Sequence, residues 1–194
     1  VKSWSAIPVP RLAGSGHPLH VHDTATGRVV GVHPEDGQAG LYVCGITPYD
    51  ATHMGHAATY LTFDLVVRTW RDAGLSVTYV QNVTDIDDDI LRAADRAGED
   101  WHALGNRWTT HFMRDMCALG ARPPDHYPRA SEVIPEICEQ VQRLIDRRAA
   151  YVSQGSVYFD LRSWPQYGRL SRLSRDEMLP VANERGNKPD DPNK

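Results

Sequence analysis

The sequence has few cysteines and no long apolar run. Its three cysteines, Cys44, Cys117 and Cys138, are far apart and include no Cys-x-x-Cys pair, which argues against a disulfide framework and indicates a reducing compartment. Cys117 and Cys138 fall in helical patterns, where a cysteine is ordinarily a small buried residue. No apolar stretch reaches the roughly 18–20 residues of a membrane span, and the first residues lack a signal-peptide pattern. We therefore expect a cytoplasmic protein without a membrane partner.

A large excess of charge of one sign is also missing. The 194 residues include 21 basic and 25 acidic side chains, for a formal net charge of −4. Indiscriminate nucleic-acid binding favours a strongly basic face, so this balance argues against it but leaves local phosphate contacts open. The length suits one domain, or one large domain with an insertion.

A strand–helix–strand unit is the clearest structural pattern. Residues 41–46 form an apolar run typical of a buried strand, residues 57–73 repeat apolar side chains at helical spacing, and residues 76–81 form a second β-rich run. The pattern predicts an α/β fold with a parallel sheet, in which ligands bind outside the carboxyl ends of the strands. Cys44 to Thr47 and Asn82 to Asp85 should therefore face one pocket.

The rest of the chain is expected to form two hairpins and three helices. The hairpins are predicted over residues 19–32 and 151–161, and the helices over about 87–97, 100–118 and 131–149. The last of these helices has apolar residues at helical spacing, which predicts a packing face. From Asn183 the chain is polar and rich in proline, as in a loop.

Two histidines at the start of the first predicted helix carry the strongest chemical signal. His53-x-Gly-His56 follows the apolar strand and a Pro-Tyr-Asp loop. A helix N-terminus offers unpaired N–H groups and a positive dipole end, which favour phosphate. Imidazole donors there suit the charge that builds on an α-phosphate as pyrophosphate leaves, and Gly55 would let a nucleotide approach the backbone. We predict an adenine-nucleotide site with His53 and His56 as catalytic residues.

Two further features leave alternatives open. As a thiolate, Cys44 could ligate zinc or act as a nucleophile, but no local residues supply the other zinc ligands, which favours a structural role. A carboxylate cluster lies in Asn82 to Asp89. Thr84 or Asp85 could cap the next helix, whereas Asp87 to Asp89 could hold Mg²⁺ or interact with the helix dipole.

Four segments together resemble the catalytic domain of cysteinyl-tRNA synthetases and their relatives. They are Tyr42–Asp50, His53–Ala57, Asn82–Asp88 and Gly155–Asp160. The resemblance implies a class I aminoacyl-tRNA synthetase-type Rossmann (HUP) domain, in which H-x-G-H helps activate an amino acid with ATP, supplied as Mg-ATP. It also implies that residues 1–194 are the N-terminal part of this domain. A helical and hairpin insertion is expected at about 100–165, and the downstream half is expected to be missing.

Among these relatives, the sequence resembles the paralogous family of mycothiol-pathway cysteine ligases more than it resembles the tRNA synthetases. Its pattern resembles Thr47–Tyr60, with Ala57-Ala58 where the tRNA synthetases usually have Ala-Arg. Glu184-Arg-Gly186 resembles part of a Glu-Arg-Gly-Gly-Asp-Pro signature and then departs from it. The resemblance implies ATP-dependent ligation of L-cysteine to glucosaminyl-inositol through cysteinyl-AMP. The alternatives are a cysteinyl-tRNA synthetase that charges tRNA, or a non-catalytic fragment that binds nucleotide.

The resemblance also implies roles for individual residues. The family's matching cysteine, here Cys44, is a zinc ligand, and the zinc recognises the thiolate of the substrate cysteine. The residues implied to surround ATP and the cysteinyl-adenylate are Cys44, Gly45, Ile46, Thr47, Gly55, Thr59, Asn82, Val83 and Thr84. The other zinc ligands and the Lys-Met-Ser-Lys-Ser loop lie further downstream in the family. The isolated chain is therefore expected to be inactive, poorly soluble and monomeric.

Overall fold

The computed structural model describes residues 3–10, 13–14 and 16–178, so Glu184 to Lys194 lie outside the described residues. In chain order, the strands and helices are β1 (His20–Asp23), β2 (Arg28–Gly31), β3 (Gln38–Ile46), α1 (Met54–Asp72), β4 (Ser76–Val83), α2 (Asp88–Ala97), α3 (Trp101–Ala118), α4 (Ile134–Asp146), β5 (Ala150–Ser153), β6 (Ser156–Phe159) and α5 (Arg175–Met178). The pairings β1–β2 and β5–β6 confirm the two predicted hairpins. Within the described helices, none is long and apolar enough to cross a membrane.

The pairing of β3 with β4 organises the first part of the fold. The two strands are parallel, from Gln38 opposite Ser76 to Ile46 opposite Val83, and α1 connects them, as the sequence predicted. On its other side β4 is bridged in parallel to His126 and Arg129. β4 therefore lies between two neighbouring backbones, which explains why alternate residues along it are almost completely buried.

Helix α1 packs its apolar stripe onto this sheet. The helix begins at Met54, three residues before the predicted start, with His53 as its N-cap. Gly74 follows its C-cap with φ of +85°, a conformation that suits glycine at a helix end. The stripe joins a core with both strands and with α3. The core residues of α1 are Tyr60, Val67 and Trp70, and those of α3 are Phe112 and Met116.

The chain divides into two compact units. Among the described residues, the first contains residues 3–10, 13–14, 16–21 and 30–132, and the second contains residues 22–29 and 133–178. In the second unit β5 and β6 are antiparallel, with Gln154 and Gly155 at positive φ in the turn. The predicted insertion at about residues 100–165 stays a prediction.

Two expectations about burial are wrong. Cys117 and Cys138 are exposed rather than buried. On α3 the buried face includes Phe112 and Met116, and because each residue turns the helix by about 100°, Cys117 points away from it. The predicted packing face of α4 is covered only in part: Val141, Leu144 and Ile145 are half-buried, whereas Ile134 and Ile137 are exposed.

A buried carboxylate ties the end of β4 to the segment beside it. Asp85 is only 4% exposed and accepts hydrogen bonds from Ser131 N at 2.9 Å and from Ser131 Oγ. The Arg129 guanidinium lies 3.6 Å from the same carboxylate. A buried charge is stable only when it is paired and hydrogen-bonded, and this one meets both conditions.

We expect Asp85→Ala to lower the free energy of unfolding by about 3 kcal/mol, because it leaves the Arg129 cation and the Ser131 donors without their partner. Urea unfolding followed by tryptophan fluorescence measures the change. Glu99→Ala is the control, since it removes an ion pair with Arg107 that is largely solvent-exposed and should change stability little. Similar losses of unfolding free energy in Asp85→Ala and Glu99→Ala would contradict the stabilising role assigned to Asp85.

The backbones of β3 and β4 touch at Gly45. A Cβ atom at this position would lie 1.4 Å from the carbonyl oxygen of Asn82, whereas a Cβ at Gly40 on the same strand would meet no described atom within 4 Å. We therefore expect Gly45→Ala to destabilise the fold by about 3 kcal/mol or more, and Gly40→Ala to change stability little. Thermal unfolding followed by circular dichroism tests both variants. Equal melting temperatures for Gly45→Ala and Gly40→Ala would contradict the prediction, because the strands would then accommodate a side chain at Gly45 without loss of stability.

Candidate active site

The candidate site lies where β3 and β4 end. The register between the strands shifts here, so that Cys44 and Gly45 together face Asn82 alone. A bulge of this kind bends a strand and redirects its side chains. Cys44 is exposed because it follows the buried Val43 on the strand, and the bulge then shifts the alternation so that Ile46 is buried. The thiol therefore lies at the surface while the strand remains anchored in the core.

The Asn82 side chain joins the two strand ends. Its Oδ1 accepts a hydrogen bond from Gly45 N at 2.8 Å, and its Nδ2 donates to Thr84 Oγ1 at 3.1 Å. Thr84 N in turn donates to the Ile46 carbonyl at 2.9 Å. The structure thus brings together the two segments that the sequence predicted to face one pocket. Ile46 and Val83 have buried side chains, so any contact of theirs with a ligand would be through the backbone.

Cys44 lies beside a buried tyrosine of α1. The Tyr60 hydroxyl donates to the Cys44 carbonyl at 3.4 Å, a long hydrogen bond that links the helix to the bulge. Burial, together with the nearby Cys44, raises the pKa of Tyr60 above its usual value. Tyr60 therefore remains a neutral donor over the whole physiological pH range.

The residues around Cys44 do not form a metal centre by themselves. Structural zinc is held by four ligands and catalytic zinc by about three protein ligands. Across the ranges that the structure describes, no group of three or more His, Cys, Asp or Glu side chains is placed to hold a metal ion. Within these ranges Cys44 therefore has no such partners, and the magnesium role considered for Asp87 to Asp89 stays a prediction.

His53 and His56 form a reciprocal cap at the start of α1. His53 is the N-cap residue, and its Nδ1 accepts a hydrogen bond from Gly55 N at 3.0 Å; His56 Nδ1 accepts from His53 N at 3.2 Å. The two ring centroids are 4.2 Å apart. Each imidazole therefore satisfies a backbone donor that the helix end would otherwise leave unpaired.

This cap determines the tautomer of both rings. A ring nitrogen that accepts a hydrogen bond carries no proton, so in each neutral imidazole the hydrogen is on Nε2. This assignment follows from the hydrogen-bond network. The pair presents Nε2–H donors at the positive end of a 19-residue helix, an arrangement suited to the oxygens of a phosphate.

Gly55 has a second reason to be glycine. A Cβ atom there would lie 2.8 Å from Cε1 of His53, so the missing side chain makes room for the imidazole. The predicted close approach of a nucleotide to Gly55 stays a prediction. Thr59 Oγ1 donates to the Gly55 carbonyl within α1 at 3.0 Å, and the Thr47 carbonyl in the preceding loop accepts from Tyr49 N at 3.0 Å. The ligand contacts predicted for Thr47 and Thr59 stay predictions.

The cap of α2 differs from the expectation. Asp87, rather than Thr84 or Asp85, is the N-cap residue, and its carboxylate accepts from Asp89 N at 2.9 Å. Asp85 is turned into the protein, where it binds Ser131. The local pattern did not reveal this, because the partner of Asp85 lies 46 residues further along the chain.

A cavity of about 920 Å³ lies at the other end of β4. Its lining includes Arg68, Arg71, Ser76 and Arg122. Ser76 begins β4, and Asn82 lies near its other end, roughly 20 Å away at the usual rise per residue. The cavity is therefore separate from the candidate site.

Sequence reasoning missed two side chains that support the site. Tyr60 lies four residues after His56 on the buried stripe of α1, a spacing that could have suggested its contact with the strand. The other is Asp115 on α3, which accepts a hydrogen bond from Thr52 at 3.1 Å. No local pattern predicts that contact, because 63 residues separate the two partners.

Comparison with known proteins finds curated relatives that are named as ligases. It is 52% identical to the L-cysteine:1D-myo-inositol 2-amino-2-deoxy-alpha-D-glucopyranoside ligase of Thermomonospora curvata, over 97% of this chain and 47% of that protein. It is 54% identical to the ligase of the same name from Salinispora arenicola, over 97% of this chain and 46% of that protein. The chain thus spans about half the length of the curated relatives it matches.

A solved structure and a family description complete the comparison. The fold is similar to that of Mycobacterium tuberculosis methionyl-tRNA synthetase bound by methionyl-adenylate. The TM-score is 0.48 and the sequence identity 19%, over 63% of this chain and 28% of that chain, and no argument is based on this likeness. Residues 31–193 match the family described as "tRNA synthetases class I (C) catalytic domain". Because this match covers most of the 194 residues, the chain belongs to the family of class I (C) tRNA synthetase catalytic domains.

Proposed function

We propose that this chain contains the cysteine-activating site of an ATP-dependent ligase that joins L-cysteine to glucosaminyl-inositol, a step of mycothiol biosynthesis. The curated relatives, named for this reaction and 52% and 54% identical to the chain, support the choice of substrates. Because the chain spans about half of their length, the activity is proposed for the full-length protein. ATP and cysteine are both supplied in the cytoplasm, where we place the reaction.

The proposed reaction has two steps. A carboxylate oxygen of cysteine attacks the α-phosphorus of ATP, and the bond to the bridging oxygen breaks, which releases pyrophosphate and leaves cysteinyl-AMP. The amine nitrogen of glucosaminyl-inositol then attacks the carbonyl carbon of this mixed anhydride. An amide forms, AMP departs, and the amine loses a proton to solvent.

The observation that carries the proposal is the orientation of the two imidazoles. Because the Nδ1 atoms of His53 and His56 are engaged with backbone N–H groups, both Nε2–H groups are set as donors. In the first step they would donate to oxygens of the α-phosphate as negative charge develops there. Donors that are already oriented need no reorganisation at that moment, which is the main source of electrostatic catalysis.

The strand ends would hold the aminoacyl part of cysteinyl-AMP. Gly45 and Asn82 form a hydrogen-bonded edge at this position, and Thr47 follows on the loop that leads to the histidines. We assign Gly45 to Thr47, Thr59 and Asn82 to Thr84 to the surroundings of the adenylate, in keeping with the family resemblance. The close packing at Gly45 leaves these groups little freedom, which suits a site that must orient two reactants.

Zinc at Cys44 is a further part of the proposal. At the candidate site the described residues provide one exposed thiol, that of Cys44. A zinc ion there would need its other ligands from outside the described residues. When bound, zinc would supply a preference for a thiolate over a hydroxyl group. Magnesium would enter with ATP as its counter-ion rather than through the carboxylates of α2.

A cysteinyl-tRNA synthetase is the second candidate. Its support is the family description itself, which names tRNA synthetases. The formal net charge of −4 gives no sign of a surface for binding tRNA, although such a surface could lie outside this chain. The two candidates share the first step and differ in whether an amine or a tRNA hydroxyl attacks the carbonyl.

Product analysis by mass spectrometry separates these candidates. The full-length protein would be incubated with ATP, cysteine, Zn²⁺, Mg²⁺, glucosaminyl-inositol and cysteine-specific tRNA together. We expect the amide of cysteine and glucosaminyl-inositol with uncharged tRNA. Charged tRNA without the amide would establish the synthetase, and AMP release that does not depend on cysteine would refute both.

We expect His56→Asn in the full-length protein to slow cysteine-dependent ATP–pyrophosphate exchange about 100-fold, the usual cost of losing one oriented donor. The asparagine oxygen can replace Nδ1 in the cap, so the fold should be kept, but nothing replaces Nε2–H. His56→Gln, whose amide nitrogen can reach the position of Nε2, should lose less activity. His102→Asn on the exposed side of α3 serves as the control. Equal activity of His56→Asn and wild type would rule out the catalytic role.

Zinc content tests the proposed role of Cys44 without measuring activity. We expect inductively coupled plasma mass spectrometry to find about one zinc per full-length protein, as in a typical catalytic site, and almost none in Cys44→Ser. Cys117→Ser, which changes another exposed cysteine, should retain the metal. Zinc retained by Cys44→Ser would exclude Cys44 as a ligand.

A further inference from the structure

Helix α3 supports the loop that carries the histidines. This loop, residues 47–53, connects β3 to α1, and its Pro48 is among the side chains with less than 2% exposure. Gly105 of α3 faces this proline, since a Cβ atom there would lie 3.9 Å from Cγ of Pro48. The first half of the loop is therefore held by packing.

The second half of the loop is held by a hydrogen bond. Thr52 Oγ1 donates to Oδ2 of Asp115 on α3 at 3.1 Å. His111 Nδ1, one turn earlier on α3, lies 3.1 Å from the same oxygen, which orients the carboxylate. A hydrogen bond to a charged acceptor is stronger than one between neutral groups, so Asp115 is an effective anchor although its side chain is 40% exposed.

We propose that Asp115 is a positioning residue that sets the His53–His56 pair through Thr52. Thr52 immediately precedes His53, whose extended backbone (φ −117°, ψ 175°) directs its imidazole onto Gly55 N. Without the anchor, rotation about the backbone bonds of Thr52 would move His53 and, through its N–H, the hydrogen bond to His56. Asp115 itself contacts no reacting atom. The predicted effect of Asp115 on catalysis rests on the proposed function, whereas its predicted effect on the histidine pair does not.

The anchor explains why the cap is well defined at an exposed position. His53 is exposed and His56 only half-buried, so packing alone would leave the first turn of α1 free to fray. A displacement of about 1 Å in a catalytic group can cost about 100-fold in rate. Pro48 and Thr52, held on the same helix, fix the loop at both ends against such a displacement.

Two measurements on the full-length protein test the inference. With ¹⁵N-labelled histidine, long-range ¹H–¹⁵N correlation spectra report the tautomer of each ring, and His53→Asn and His56→Asn assign the two signals. Cysteine-dependent ATP–pyrophosphate exchange gives kcat and KM. The variants are Thr52→Val, Asp115→Ala, the double variant and the conservative Thr52→Ser. Thr110→Val is the matched control, because within the described part of the chain its hydroxyl donates to Asn106 O on the same helix and to no other group.

We expect Thr52→Val and Asp115→Ala each to lower kcat about tenfold, with KM for cysteine unchanged. Both should lose the Nε2–H tautomer signature of the two histidines. The double variant should have the same kcat as either single variant, because all three variants remove the same contact. Thr52→Ser and Thr110→Val should behave like wild type.

Unchanged histidine spectra in Thr52→Val would overturn the positioning role, whatever the activity. Additive losses in the double variant would also overturn it, since the two residues would then act separately. If the wild-type protein shows no cysteine-dependent exchange, the proposed function fails, and the histidine spectra still decide whether Asp115 sets the pair.

Discussion

The close approach of β3 and β4 is the constraint on which the candidate site depends. At Gly45 the two backbones leave no room for a side chain, and the extra residue in β3 is accommodated there as a bulge. Asn82 bonds to the backbone of Gly45 and to Thr84, so the two strand ends behave as one rigid edge. Cys44, one residue after the buried Val43, is exposed beside this edge, and the bulge returns the strand to the core at Ile46.

The first turn of α1 combines a structural and a chemical role in the same side chains. Helix ends usually satisfy their backbone donors with serine, threonine or aspartate. Here imidazoles take this role, and their second nitrogen becomes a donor of known orientation as a consequence. The cap also selects the Nε2–H tautomer of both neutral imidazoles, and the proposed phosphate chemistry would use these donors. The loop before it is tied to α3 at Pro48 and Thr52, so the orientation of the histidines depends on a helix that is distant in sequence.

Sequence periodicity predicted the elements well and their surroundings less well. The parallel pair, α1 with its glycine stop, and both hairpins follow from alternation, helical spacing and turn residues, which are local properties. Burial was predicted poorly where it depends on a neighbour: Cys117 has helical spacing but lies off the packed face of α3, and the apolar residues of α4 have no buried position. The cap of α2 was misplaced by two to three residues because several acidic side chains compete for one helix end.

By itself, the sequence determined which chemistry is available: a thiol at a strand end, two histidines on a helix N-terminus, and a polar segment after the next strand. These motifs are contiguous, so their local geometry follows from strand and helix periods. Tertiary structure alone decided how they are held, because Gly45 meets Asn82, Asp85 meets Ser131, and Thr52 meets Asp115 across separations of 37, 46 and 63 residues. Contacts between such distant residues depend on how whole elements pack, which no local pattern in the chain encodes.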